Sequence, residues 1–359
     1  MTTHESSVAA GSQWPACPMM RVMPKRSPAS AWARMFSRNV AALTRSTLRS
    51  NARVVGKALK TTRAKRAAPA GAGLWTAGVA VGPAGMRRYR LYRPADVRFG
   101  ERLPLLVMLH GCGQDAAGFA ASTRMNTIAA RERFMVLYPE QDRVSNPQGC
   151  WNWFDTASGR AHGEVGLVMN AIDQVSTLYA ADRTRVAVAG LSAGASMAAL
   201  VASRHPERFK AVVMHSGIPP GTAHSAVSAL GAMHGLRRTK PLVAKPVAMS
   251  ESWPPLLVIH GQGDTTVAPS NGLAAVRAWA DAAGAKPGAA RVLQRGKRYP
   301  ANVTDFKSKG RVVATLVDVA SLRHAWSGGA ARQPFSDGKG PDASRMVWAF
   351  AARQFGANA

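Results

Sequence analysis

The chain has 359 residues, 47% of them apolar, enough for a substantial core in one large domain plus a tail, or in two small domains. Three cysteines (Cys17, Cys112, Cys150) and no run of 18 apolar residues argue against a disulfide-dense scaffold and against a transmembrane helix. The formal charge of +28 favours anionic partners, among them nucleic acid, anionic lipid or a polyanionic coat.

The charge is uneven. Residues 1–70 hold thirteen Lys and Arg against one acid, Glu5. Residues 1–30 have no period and are expected to stay disordered. Over 31–66, Trp32, Met35, Phe36, Val40, Leu43, Val54, Val55 and Leu59 fall at helical spacing among basic residues. That pattern suits a basic amphipathic helix lying on an anionic surface or granule, or a solvated tail with no partner. The N-terminus lacks an apolar core behind a basic start, so an intracellular or granule-associated location is expected over secretion. Residues 67–73 read as a linker, which makes 1–73 an extension and 74–359 the catalytic domain.

The domain is expected to open with an antiparallel strand at 86–92. The continuous apolar run 103–109 reads as a buried strand, followed by a helix over 116–131 and a strand at 134–138. Residues 150–154 form an aromatic loop, and 165–179 carry a helical stripe. A strand at 186–188 leads into a small-residue helix, and another strand covers 211–214. Residues 217–254 show no strong period and read as an insert. Then follow a strand at 256–259, a helix at 273–282, a last strand at 312–319 and a closing helix at 342–355. Alternating strands and helices predict an α/β fold, a mostly parallel doubly wound sheet with flanking helices.

Between the strand at 186–188 and its helix lies Gly190-Leu191-Ser192-Ala193-Gly194. A strand that turns abruptly into a helix strains the central serine and presses the residues two before and two after it together, so neither can carry a side chain of any size, a demand that Gly190 and Gly194 meet. Alone, the pattern is weak, because a serine before a small-residue helix is often only a cap. Its context strengthens it. Cys112, Ser192, Asp264 and His324 each follow a predicted strand, where a doubly wound sheet gathers its active site. The order Ser192, Asp264, His324 is that of a nucleophile, acid and base on an α/β-hydrolase. The backbone N–H groups of Ala193 and Cys112 are the candidate oxyanion donors.

Rivals remain at each position. His110 and His260 precede glycine at strand ends and suit packing or loop fixing; His205 and His215 are further histidines. Asp305 and Asp318 do not follow the right strand. Cys112 is a weak rival nucleophile, and Cys112 with Cys150 either forms a disulfide or fills space. Trp151, Asn152, Trp153 and Trp326 are candidate substrate contacts, against a reading as core. The histidines lack ligand spacing, so neither metal nor cofactor is expected.

Several stretches together resemble the polyhydroxybutyrate depolymerase family of esterases: Leu109-His110-Gly111-Cys112, Cys150-Trp151-Asn152-Trp153-Phe154, Gly163-Glu164, the serine motif with Met197, Asp264-Thr265-Thr266-Val267, and His324-Ala325-Trp326-Ser327-Gly328-Gly329. The resemblance covers about residues 85–355. It implies an α/β-hydrolase fold, carboxylic-ester hydrolysis and the triad Ser192, Asp264 and His324. It points to short hydroxyalkanoate esters or polyhydroxybutyrate-type polyester as substrate, with acetyl or feruloyl esters of polysaccharide as the alternative. A basic granule- or nucleic-acid-binding protein with a degenerate hydrolase domain is the reading from another class.

Overall fold

The computed structural model describes residues 70–240, 242 and 253–356. The expected amphipathic helix over 31–66, and most of the second half of the insert, lie outside the described residues.

The sheet begins with a hairpin, β1 (Gly73–Gly82) and β2 (Gly85–Pro94), paired antiparallel along their full length. Only the second of these was expected. Gly78 must stay bare, because a Cβ there would lie 2.2 Å from the Tyr89 ring, so β1 carries no clean alternation. Next come β3 (Leu103–Leu109), α1 (Ala116–Thr123), α2 (Met125–Glu132) and β4 (Met135–Pro139). The single helix expected over 116–131 is broken at Arg124, whose φ of 56° is left-handed and caps α1. Then follow α3 (Arg160–Leu178), β5 (Ala181–Leu191), α4 (Ala193–Arg204) and β6 (Ala211–His215). The insert holds α5 (Ala226–Met233), started by a capping box in which Ser225 and Ser228 exchange side-chain and backbone bonds. The remainder is β7 (Leu256–Gly261), α6 (Ser270–Ala282), the short β8 (Lys286–Pro287) and β9 (Arg291–Leu293), β10 (Ala301–Ser308), β11 (Arg311–Val319), the two-residue pair β12 (Trp326–Ser327) and β13 (Ser336–Asp337), and α7 (Ala343–Gly356).

One 11-stranded sheet runs in the order β1-β2-β4-β3-β5-β6-β7-β11-β10-β8, with β9 on β10. The strands from β4 to β11 are parallel, and both ends are antiparallel. The central strands are apolar throughout because both faces are covered. Leu105, Val107 and Leu109 of β3 face one layer; Leu106 and Met108 face the other. All five are fully buried, each worth about 1.5–3 kcal/mol relative to exposure. The chain leaves β3 for β4 on one side and returns to β5 on the other. That reversal puts the ends of β3 and β5 side by side, Leu109 opposite Gly190, and opens a crevice there.

Candidate active site

Ser192 sits in that crevice, between the end of β5 and the first residue of α4, with φ 57° and ψ −123°. This is strained for a residue with a side chain, and the surroundings hold it. Its N–H donates to the His215 carbonyl at 2.8 Å. A Cβ on Gly190 would stand 2.3 Å from the Gly194 carbonyl group, and one on Gly194 2.1 Å from the Leu109 oxygen. Only glycine on both sides permits the turn, as the sequence implied.

Asp264 follows β7 and His324 follows β11. The Ser192 hydroxyl lies 2.9 Å from His324 Nε2, and His324 Nδ1 lies 2.7 Å from Asp264 Oδ2. The other carboxylate oxygen, Oδ1, accepts the N–H groups of Thr266 and Val267, both at 2.9 Å. Burial alone would raise the Asp264 carboxyl, but the His324 charge and bonds from His260 and His324 outweigh it and hold it well below the usual carboxylate range. A fixed carboxylate of this kind directs the His324 Nδ1–H, which leaves Nε2 to accept the serine proton.

Ser192, Ala193 and Cys112 line one small apolar pocket with Trp153, Phe154, Ile218 and Met233, and the cavity measures about 20 Å³. The N–H of Ala193 belongs to the first turn of α4, where no intrahelical acceptor exists. Cys112 is bonded to Cys150, with the two Cα atoms 4.3 Å apart. This answers the question the spacing left open and removes Cys112 as a nucleophile, since a disulfide sulfur carries no thiolate.

The other expected contacts divide. Trp151 and Trp153 line the pocket. Asn152 and Trp326 do not reach it. Asn152 is buried, and its side chain is taken up by Glu164 Oε1 at 2.7 Å and by Asn146 at 3.0 Å. Trp326 is fully buried, donates from Nε1 to Ser344 Oγ at 2.9 Å, and packs against Phe119 and His215. Both are scaffold, because their polar atoms find partners inside the fold.

Of the rival histidines, His205 caps the end of α4 beside Glu207, away from the pocket, and His110, His215 and His260 are buried and fixed in place. His110 donates from Nδ1 to the Gly111 carbonyl at 2.8 Å and accepts the Gln141 N–H on Nε2 at 3.0 Å; burial pushes it down to about 4. His215 accepts the Ser327 N–H on Nε2 at 3.0 Å, and burial, reinforced by the His260 and His324 charges, pushes it down to about 3. His260 lies 3.0 Å from the Val267 carbonyl through Nε2. The pocket residues Ile218, Ala229 and Met233 come from the insert, which showed no strong period. The Ser225 cap ahead of an apolar stretch was the one signal for that helix. Among the described residues, no cluster of three His, Cys, Asp or Glu could hold a metal ion, and no helix is long and apolar enough to cross a membrane.

A strained serine at the reversal point of a mostly parallel sheet, with later strand ends carrying an imidazole and a carboxylate, defines an α/β-hydrolase. An acetyl xylan esterase from Aspergillus awamori superposes on this fold with a TM-score of 0.61 at 20% identity, over 77% of this chain and all of the other. The chain belongs to the Esterase PHB depolymerase family, whose model matches residues 87–291. It is 34% identical over 175 residues to poly(3-hydroxyalkanoate) depolymerase C of Paucimonas lemoignei, covering 47% of this chain and 42% of that one. It is 29% identical over 209 residues to feruloyl esterase B of Neurospora crassa, covering 54% and 70%. The chain thus spans less than half the length of the depolymerase it matches.

Proposed function

We propose that this protein is a serine carboxylic-ester hydrolase working through an acyl-enzyme on short-chain esters, hydroxyalkanoate oligomers or polyester among them. The observation that carries the reading is the unbroken hydrogen-bonded chain from Ser192 Oγ through His324 to Asp264 at an apolar pocket. Ser192 attacks the ester carbonyl as its proton passes to His324 Nε2. The oxyanion of the tetrahedral intermediate is held by the N–H groups of Ala193 and Cys112, each donor worth about 10²–10³ in rate. His324 then gives the proton to the leaving alkoxide. Water then attacks the acyl carbon as His324 takes its proton, and the second intermediate collapses by breaking the bond to Ser192 Oγ, which regains that proton from His324 as the acid leaves. Asp264 keeps the imidazole oriented and stabilises its charged form throughout.

The pocket beside Ser192 is walled by Trp153, Phe154, Ile218 and Met233, an apolar lining that suits the acyl part of an ester. Hydrolysis of acetyl or feruloyl esters of polysaccharide is the second reading, supported by the likeness to feruloyl and acetylxylan esterases. The ordered hydrogen-bonded chain counts against a degenerate site. The basic residues over 31–66 would hold the enzyme on a polyester granule or another anionic surface. If removal of residues 1–70 left granule binding unchanged, that part would fall.

The test is hydrolysis of p-nitrophenyl acetate, butyrate and octanoate, beside polyhydroxybutyrate granules, by wild type and Ser192→Ala. Cleavage of short esters and granules by wild type alone supports the polyester reading. Cleavage of short soluble esters alone moves the acetyl-ester reading ahead. Equal inactivity of both proteins overturns the hydrolase assignment, and a salt-dependent nucleic-acid affinity lost with residues 1–70 would then support a binding protein.

A further inference from the structure

Glu164 is the one acid of the motif residues for which the triad gives no task. It lies in α3, is 3% exposed, and does not touch Ser192 or the pocket. Yet its two oxygens receive bonds from both sides of the site. Oε2 accepts the Asn152 N–H at 2.9 Å. Oε1 accepts Asn152 Nδ2 at 2.7 Å and Gln141 Nε2 at 2.5 Å. The Arg87 guanidinium stands 3.8 Å from the same oxygen, bonds Gln141 Oε1, and lies over the Trp151 ring at 5.3 Å. Arg87 is itself 2% exposed, so carboxylate and guanidinium neutralise each other where water cannot.

The two loops beside Ser192 hang from this pair. Gln141 Nε2 also donates to the Cys150 carbonyl at 2.9 Å, and the Gln141 backbone N–H donates to His110 Nε2 at 3.0 Å. Trp151 Nε1 donates to the His110 carbonyl at 3.0 Å, and the Gly113 N–H donates to the Gln148 carbonyl at 2.9 Å. The Cys112–Cys150 disulfide joins the loops covalently. The loops are thus joined by hydrogen bonds as well as by the bridge, and a shift of Asn152 or Cys150 carries the segment at Cys112 with it.

We propose that Glu164, neutralised by Arg87, is a positioning residue that sets the distance of the Cys112 N–H from the reacting carbonyl by holding the 150–154 loop. The inference rests on the serine-hydrolase reading and on Cys112 as the second oxyanion donor. A donor that has moved away stabilises the transition state less without changing how the ester docks, so the loss falls on kcat.

The experiment compares wild type, Glu164→Gln and Asn152→Ala with p-nitrophenyl acetate and with a p-nitrophenyl phosphonate, well below each protein's measured unfolding temperature. Glu164→Gln keeps the shape but removes the charge and replaces one acceptor oxygen with an N–H₂ group, which faces a donor in either orientation. Asn152→Ala leaves the ion pair buried and intact and cuts one of its holds on the loop. The expected result for Glu164→Gln is a fall of about 10- to 100-fold in kcat, a parallel fall in the phosphonylation rate, and KM within about twofold. Asn152→Ala should give the same split at smaller size, and it carries the test if Glu164→Gln does not fold. A folded variant with kcat and phosphonylation within twofold of wild type overturns the inference and leaves Glu164 a structural residue. So does a rise in KM with kcat unchanged. A wild type that the phosphonate does not label overturns the serine-hydrolase reading, and this inference with it.

Discussion

His260 Nε2 stands 3.5 Å from Asp264 Oδ2, the carboxylate oxygen that also takes the bond from His324. Two imidazoles therefore converge on one buried oxygen, while two backbone N–H groups hold the other. The carboxylate has no freedom to turn. Asp264→Asn keeps that shape but can put an N–H₂ group toward His324 Nδ1, which would then have to accept rather than donate. Nε2 would carry the hydrogen and lose its ability to take the serine proton. The expected result is a fall of about 10⁴ in kcat on p-nitrophenyl acetate with an unchanged circular-dichroism spectrum. A folded variant within tenfold of wild type would assign the acid elsewhere.

Acid should unfold this protein through its buried histidines. His110 sits at about 4 and His215 at about 3, both driven down first by burial, against about 6.5 in an unfolded chain. Below pH 6.5 the unfolded chain takes up protons that the folded one refuses. Stability is therefore level with respect to these two groups above that pH and falls as pH drops toward 4 and then 3. The gap at His110 alone corresponds to about 3 kcal/mol. Asp264, held below the usual carboxylate range, adds a further loss under about pH 4. Urea midpoints at pH 7, 5 and 4 check this, with a progressive decrease expected. Equal midpoints at all three would contradict it.

The sequence was informative where one physical demand dominated. Leu103–Leu109 had to be apolar at every position because helices cover both faces of the sheet, and it read as a buried strand. Gly190 and Gly194 were demanded by backbone contacts at 2.1–2.3 Å. Legibility failed where a tertiary partner set the outcome. β10 (Ala301–Ser308) reads as a mixture because its Asp305 is held by Thr315 of the neighbouring strand and by Arg291. Trp326 looked available to substrate only because Ser344, 18 residues on, could not be seen as its partner. Glu164 stood in a motif without a role until Asn152 and Gln141 were brought to it across 12 and 23 residues.

The two tryptophan classes should separate cleanly on substitution. Trp326 is fully buried beside Phe119 and His215, away from the pocket. Trp326→Ala should cost about 3–5 kcal/mol of stability through the cavity it leaves. At a temperature where it stays folded, its preference among acyl lengths should not change. Trp153 is 8% exposed and lines the pocket. Trp153→Ala should enlarge the acyl site and raise butyrate and octanoate turnover relative to acetate. Acyl-chain profiles measured beside thermal unfolding decide the matter. A Trp326→Ala protein with an altered profile would return that residue to the site.

The disulfide contributes mainly to stability rather than to the chemical step. Cys112 and Cys150 are 38 residues apart, and closing a loop of that length restricts the unfolded chain by about 4 kcal/mol. The double change Cys112→Ala with Cys150→Ala should lower the urea midpoint accordingly. The 110–113 loop still keeps the Gly113 bond to Gln148 and the Trp151 bond to His110. The assigned donor at position 112 is a backbone N–H, which alanine retains. At 25 °C the folded double variant should therefore hold kcat within about tenfold of wild type, below the 10²–10³ that loss of a donor costs. A reductant acting on wild type should reproduce the variant's lowered midpoint and its retained turnover together. Loss of turnover in a variant whose midpoint had not moved would mean that the sulfur bridge itself, and not the hydrogen bonds around it, sets the position of the 112 N–H.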